Sequence, residues 1–214
     1  RLALEIVDGQ LSASVRSPLW FDMIETRTLQ WTSLVSLGGT VLLSADKQLY
    51  SIATEEDRVL HEVLGSPVSE MRLWERPETY PESGHWLGVC LPEENLVLTG
   101  GLQGERLAWP FTDESKNIGA GEGPDPGHFL FPLSLDAGPD QRIYVLDAGN
   151  ARIQVFDIDG NYITHFGRMG SAAGEFDFGS GGSASSFAGS IAVDDDGYIY
   201  VADVGNRRIQ KFAP

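Results

Sequence analysis

Cysteine is almost missing from this 214-residue chain: Cys90 stands alone, so no internal disulfide can staple the fold. Its neighbours Val89 and Leu91 point to a buried, inert thiol. Lysine is nearly as scarce. Lys47, Lys116 and Lys211 are the only three, and 15 basic against 31 acidic residues give a net charge of −16. A surface of that sign repels phosphate backbones and anionic lipid headgroups. With no basic cluster beyond Arg207-Arg208, nucleic acid is not an expected partner. No apolar run approaches the ~18 residues of a membrane span, so no direct membrane insertion is expected. No secretory signal is visible. The chain begins at Arg1, as expected of a processed, trimmed or partial chain, and no compartment is read from it.

Nucleophile motifs are absent too. There is no Gly-x-Ser-x-Gly, no phosphate loop ending Gly-Lys-Ser/Thr, and no Gly-x-Gly-x-x-Gly after a strand. The four histidines are His61, His85, His128 and His165. A catalytic metal needs about three converging ligands, and no repeated set of that kind is seen. His61-Glu62 lacks a second His four positions on. His85, opening an inner strand, is the one placed near the axis of the fold argued below. Asp157-Ile-Asp-Gly-Asn161 and Asp194-Asp-Asp-Gly197 imitate the opening of a calcium loop. Neither continues with the spaced carboxylates and final Glu that such a loop needs, so both read as hairpin turns. No cofactor is expected, although the acidity favours cations and leaves a divalent ion in a central channel conceivable.

What the sequence does have is a repeat. Ile143 to Phe156 returns as Ile199 to Phe212, 56 residues later, with ten of fourteen positions identical. Self-similarity at this period signals a modular architecture. In each copy Ile-Tyr-Val suits a pleated, half-buried surface. Asp-x-Gly-Asn then breaks the strand, because Asp and Asn bond back to local backbone and Gly or Asn accepts positive φ. Arg-Ile-Gln-x-Phe resumes by alternation, with Ile and Phe expected on one face and Arg and Gln on the other. Leu133–Asp136 and Ile191–Asp194 read as strands before each hairpin. Tyr162–Phe166 reads as a fourth strand after the first. Four antiparallel strands per unit make a propeller blade.

Asp147, Gly149, Asn150, Arg152, Ile153 and Phe156, matched by Asp203, Gly205, Asn206, Arg208, Ile209 and Phe212, resemble the NHL-repeat family. The leaders Gly127-His-Phe129 and Gly174-Glu-Phe176 resemble that family's connector between blades. The resemblance covers about residues 120–214. It implies an all-β propeller of four-stranded antiparallel blades, but a fold of this kind hosts many activities. Some NHL proteins bind RNA; this chain's charge departs from what that needs.

Taken from its start, the chain reads as a single domain over 1–214. Leu2–Val7 is a strand without a neighbouring hairpin partner, and the last blade stops at Phe212 after three strands. Closure is therefore expected, with Leu2–Val7 as the outer strand of the final blade, removing an exposed edge. Leu19–Met23 and Thr28–Trp31 read as middle strands of a degenerate blade. Leu34–Leu37, Val41–Ser44, Leu49–Ile52 and Val59–Val63 form a better one. Residues 18–62 are similar to the gluconolactonase-like propellers. Ser66–Gly84 reads as a connector, followed by strands at His85–Cys90, Leu96–Thr99, Leu107–Phe111 and near Ile118. Gly119–Pro132 and Arg168–Ser190 are further connectors, and Gly179–Ser186 has flexible-linker composition. The expectation is four to six blades.

A meander places the long connectors and both Asp-x-Gly-Asn loops on one face, where function tends to sit. Binding residues are expected there: Asp147, Asn150, Arg152, Asp203, Asn206, Arg207 and Arg208. The same residues also suit a repeated structural task. Arg207, whose counterpart is Ala151, is the better contact candidate. Trp74, inside a polar stretch, is expected to meet a partner. The leading expectation is a non-enzymatic protein-binding or scaffolding module of a larger assembly. The alternative, implied by the gluconolactonase-like and amidating-lyase-like resemblances, is a metal-dependent hydrolase or lyase using Asp136 and Asp194 with His85.

Overall fold

The two near-identical hairpins occupy equivalent places in consecutive antiparallel sheets. The structure is a computed structural model. It describes the backbone of residues 2–7, 10–15, 25–28, 31–37, 40–45, 48–52, 57–61, 68–76, 84–103, 106–107 and 117–214, and the side chains of 68–74, 86–100 and 118–214. The chain divides into two compact units, Arg1–Val68 and Ser69–Pro214.

In the first unit, β1 (Leu2–Val7), β2 (Gln10–Val15) and β3 (Glu25–Thr28) form one meander. A second is built from β4 (Trp31–Leu37), β5 (Thr40–Ala45), β6 (Gln48–Ile52) and β7 (Asp57–His61). The latter is the four-stranded blade expected from the sequence. The expected strand at Leu19–Met23 lies outside the described residues.

The second unit carries three sheets. The first has β8 (Glu70–Arg76), β9 (Gly84–Leu91) and β10 (Leu96–Gln103), with the short β11 (Arg106–Leu107) and β12 (Asn117–Ile118) both pairing with β10. Next comes β13 (Pro132–Ala137), β14 (Arg142–Asp147), β15 (Arg152–Asp157) and β16 (Tyr162–Phe166). The last holds β17 (Gly189–Val193), β18 (Ile199–Asp203) and β19 (Arg208–Phe212). Five successive meanders of this kind are propeller blades.

Four expectations need correction. Leu2–Val7 does have a neighbouring hairpin partner: it pairs with Gln10–Val15, with Val7 opposite Gln10. Asp8-Gly9 is a strong two-residue hairpin sequence, and local closure costs less entropy than a long loop. The stretch Ser66–Gly84 is not all connector, because Glu70–Arg76 is the first strand of its sheet. His85 therefore opens a second strand rather than an inner one, opposite Glu75 of β8. The alternation there was hidden because Glu70 and Arg72 are charged yet turned toward the next sheet, while Met71 between them is buried.

Ile153 and Phe156 do not share a face. An odd separation in a strand points side chains apart, and the two belong to opposite core clusters. Finally, Gly179–Ser186 is not a free linker. It contains a 3-10 turn at Ala184–Ser186, and its end is anchored by Phe187 stacked on Phe131 at 5.2 Å.

The core lies between sheets. Tyr144, Leu146, Ile153 and Val155 pack onward against Phe176, Phe178, Ile191 and Val201 of the final sheet. Ile143, Val145 and Phe156 pack backward against Phe129, Ile118 and Val97. Because β14 is covered on both faces, it reads as an apolar run instead of alternating. Burying one large side chain in this way contributes roughly 1.5–3 kcal/mol.

Candidate functional site

The repeated loop is built around one carboxylate. Asp147 is fully buried. Its Oδ1 accepts the Leu130 amide at 2.7 Å, and its Oδ2 accepts Asn150 Nδ2, Arg152 Nε and Gln154 Nε2 at 2.9, 2.8 and 3.0 Å. Arg152 then reaches the preceding connector, donating to the carbonyls of Pro124, Asp125 and His128. Asn150 donates to Gly123, and Gln154 to His128 while accepting the Gly127 amide. The hairpin thus staples its own connector, and hairpin loops and connectors share one face of the unit as the meander requires.

The second copy repeats the staple bond for bond. Asp203 accepts from Asp177, Asn206, Arg208 and Gln210, and Arg208 donates to Ser171, Ala172 and Glu175. The environments differ in one respect. Burial pushes the Asp147 carboxyl upward against its donors, whereas around Asp203 burial acts upward too but the summed donors prevail and lower it.

The glycine of the motif has a steric task. A Cβ on Gly149 would lie 2.8 Å from the Leu130 carbonyl oxygen, and one on Gly205 would lie 2.5 Å from that of Asp177. Each amide donates to that same carbonyl at 2.8 Å. Positive φ falls two residues later, on Ala151 (50°) and Arg207 (55°), not on the glycines. So Asp147, Asn150, Arg152, Asp203, Asn206 and Arg208 are all engaged within the chain. Arg207 is exposed, and its amide donates to the Val204 carbonyl at 3.0 Å.

First strands of neighbouring sheets are joined by a polar ladder. Glu70 bonds Ser134, and Arg72 Nε lies 3.5 Å from Asp136. Ser134 Oγ accepts the Ile191 amide at 3.0 Å, and Asp136 accepts Val193 at 2.9 Å. Burial holds both Glu70 and Asp136 above the usual carboxylate range. Burial, with Glu70 nearby, also pushes the Cys90 thiol well up, consistent with an inert group. Because the folded state favours protonated Glu70, this group adds stability as pH falls toward the unfolded carboxylate range. That gain is lost as pH rises through the folded value. Glu70→Gln is therefore expected to leave stability unchanged or raised at pH 7. Thermal unfolding at pH 5 and 7 checks it: the native Tm should rise relative to the variant on acidification, and parallel behaviour would count against the assignment.

The acidic residues of the alternative reading do not converge. Asp136 serves the ladder, and Asp194 caps its own turn, accepting Asp196 and Tyr198 amides and the Tyr200 hydroxyl. Asp157 does the same for Asp159 and Asn161. The His85 side chain lies outside the described residues. Among the described residues no three His, Cys, Asp or Glu groups gather around a common point. Trp74 sits on β8, opposite Trp86. Its ring lines a cavity of about 260 Å³ with Ala137, Pro139, Gln141, Ile158, Val193 and Asp195 at the short-turn end of the sheets.

The largest difference between the repeats lies on the face that the final sheet turns onward. Ala148, Ala151, Ile153 and Val155 are at most 3% exposed, and their counterparts Val204, Arg207, Ile209 and Lys211 are all exposed, Ile209 to 73%. The four positions at which the copies differ are Leu146/Ala202, Ala148/Val204, Ala151/Arg207 and Val155/Lys211. Leu146, Ala148 and Val155 pack onward and Ala151 sits in the loop, while the backward-facing Ile, Val and Phe are identical. Val204, Ile209 and Lys211 were not singled out from the sequence. Sorting the mismatches of the repeat by strand face would have found the differing positions Val204 and Lys211; Ile209, identical in both copies, would not have shown.

No helix of the described residues is long and apolar enough to cross a membrane. No curated protein matches the sequence. Residues 138–213 match the family model described as "6-bladed beta-propeller". Among solved structures, the chain is similar to an auxiliary nutrient binding protein from Bacteroides thetaiotaomicron. There the TM-score is 0.55 at 14% identity, covering 88% of this chain and 48% of that one. The Cps50 (Swd1) beta-propeller domain of Myceliophteria thermophila gives 0.55 at 11%, covering 96% and 63%. A streptogramin B lyase gives 0.53 at 11%, covering 86% and 54%. The chain thus spans between 48% and 63% of the length of these proteins. At such identities the likeness speaks for the fold alone. Five successive antiparallel meanders, stapled loops and these likenesses together establish an all-β propeller, whose residues 138–213 follow the pattern of the six-bladed kind.

Proposed function

We propose that the chain is a non-enzymatic protein-binding module of NHL type, working as part of a larger assembly through its final sheet. The observation that carries this is the contrast between Ile153, fully buried, and Ile209, 73% exposed at the equivalent position. Val204, Arg207 and Lys211 of the same hairpin are exposed as well, two of them cationic, with the Lys211 ammonium over the Tyr198 ring at 3.6 Å. That composition suits a protein interface with an apolar middle and a charged rim. On a chain of net charge −16, this patch of opposite sign favours a partner surface with acidic groups at its border. The backward face kept its residues because it still packs on a blade.

Position-specific photo-crosslinking tests it. A photoreactive residue at Ile209 is expected to give one discrete protein adduct in the source cell, and the same residue at the exposed Glu122 none. The adduct protein, once purified, should bind the native chain at least tenfold more tightly than an Arg207→Glu/Ile209→Asp variant, with Tm unchanged because both side chains are exposed. Equal adducts at the two positions, or equal binding of the variant, would remove the reading.

A further inference from the structure

The cavity beside Trp74 is built by one strand and three turns, and every residue lining it belongs to the Ser69–Pro214 unit. One carboxylate fixes two of those residues. Asp136 Oδ1 accepts the Ala137 amide and its Oδ2 the Val193 amide, both at 2.9 Å. Arg72 Nε lies 3.5 Å from the same carboxylate, two residues before Trp74 on β8. The turns are closed by bonds of their own. The Tyr144 hydroxyl donates to Asp140 at 2.9 Å, and the Gln141 amide donates to the Gly138 carbonyl at 3.0 Å. Asp194 accepts the Tyr198 amide and the Tyr200 hydroxyl at 2.8 and 2.9 Å. Walls tied in this way stand ready before a ligand arrives, as small-molecule pockets usually do.

We propose that this cavity binds a small quaternary ammonium ion, its cationic head against the Trp74 indole and beside the Asp195 carboxylate. The site shares no residue with the Val204–Lys211 surface and does not depend on the protein-binding reading. Its volume of about 260 Å³ is just under the roughly 300 Å³ at which drug-sized pockets begin, so the occupant is small. Its charge is negative. Asp194 and Asp195 line it, no cation among the described residues does, and Arg142 nearby is turned to Asp140 at 3.4 Å. An anionic ligand is repelled there. Hydrogen-bonding capacity is low. Pro139, Ile158 and Val193 are apolar, and the Asp194 oxygens are already taken by their own turn. That leaves the side chains of Gln141 and Asp195, too few for a sugar's hydroxyls or for the three donors of a primary ammonium. The Trp74 Nε1–H is buried without a partner, so the indole offers a ligand its ring and not a hydrogen bond. A quaternary ammonium brings no N–H donor, and its charge is attracted to an aromatic ring.

The probe is choline chloride, titrated into the full chain and followed by NMR, with 3,3-dimethyl-1-butanol as its uncharged isostere. Choline should bind saturably and about tenfold more tightly than the isostere. It should also shift the indole N–H signal of Trp74, which the Trp74→Phe variant identifies by its loss. Asp195→Asn should weaken binding about fivefold, the effect of removing one nearby opposite charge. Asp195 is exposed, so Tm should not change. Glu122→Gln makes the same change of charge at an exposed position away from the cavity and should leave choline binding as it was. Trp74→Leu should weaken binding about tenfold; should that variant not fold, the Asp195→Asn and Glu122→Gln pair decides.

Equal binding of choline and its isostere would overturn the proposal, because the site would then be blind to charge. Equal weakening by Asp195→Asn and Glu122→Gln would do the same, since it would reduce the effect to counterions drawn by the acidic chain as a whole. So would saturable binding that leaves the Trp74 signal in place. A trimethyl-lysine peptide that binds more than tenfold tighter than choline would move the site to a protein partner and overturn the small-molecule assignment.

Discussion

Asp147→Ala is expected to destabilise the Ser69–Pro214 unit by about 3–5 kcal/mol, the range for breaking a buried ion pair and stranding its partner. Arg152 would remain with a side chain only 7% exposed and no countercharge. The Leu130 amide, Asn150 and Gln154 would each lose an acceptor. The connector Gly119–Pro132 hangs from the same residues, so the loss should spread to it. Asp203→Ala removes the same set of bonds but should cost clearly less, since Arg208 is 30% exposed and water can take over. Urea unfolding of the two variants, followed by tryptophan fluorescence, compares them directly. A loss under about 1.5 kcal/mol for Asp147→Ala, or equal losses for both, would show that the staple does not hold the sheet.

Phe176→Ala should cost about 3–5 kcal/mol, the usual figure for emptying a fully buried aromatic site. Phe176 enters the core from a connector rather than a strand. Its ring stacks on Phe178 at 5.2 Å and lies 5.8 Å from Phe212. Gly167, at φ 94°, passes directly beneath it, so the backbone there has no side chain to fold into a vacated space. The same device recurs where Gly119, at φ 95°, lies beneath Phe129. The site cannot collapse, which places the cost at the upper end of the range. Thermal unfolding would show it as a fall in Tm on the order of ten degrees for a unit of this size. A variant that keeps its native Tm would mean the connectors are not structural.

The connectors also explain the leader residues seen in the sequence. Phe129 and Phe176 are buried anchors, while His128 and Glu175 between them and the glycines give their backbone carbonyls to the staple. Glu175 additionally holds Arg168 and the Ala172 amide, and these donors keep its carboxyl below the usual range.

Much of this fold was legible in local chemistry. Asp-x-Gly-Asn between two β-branched runs can hardly be anything but a hairpin, and its recurrence 56 residues later made the blades equivalent. What the sequence determined by itself was therefore the class of fold, the repeated loop and the Asp, Asn and Arg of the staple, because each depends on contacts within one repeat; Gln154 and Gln210 joined them only in the structure. Tertiary structure alone decided the rest. Charged Glu70 and Arg72 disguised a strand because their partners sit 64 residues on, at Ser134 and Asp136. Gly149 and Gly205, read from the sequence as sites of positive φ, are places where a connector backbone presses too close for a methyl group. And Ile153 and Ile209, the same residue in the same motif, are buried and exposed because burial belongs to the neighbouring sheet, which no window of sequence contains.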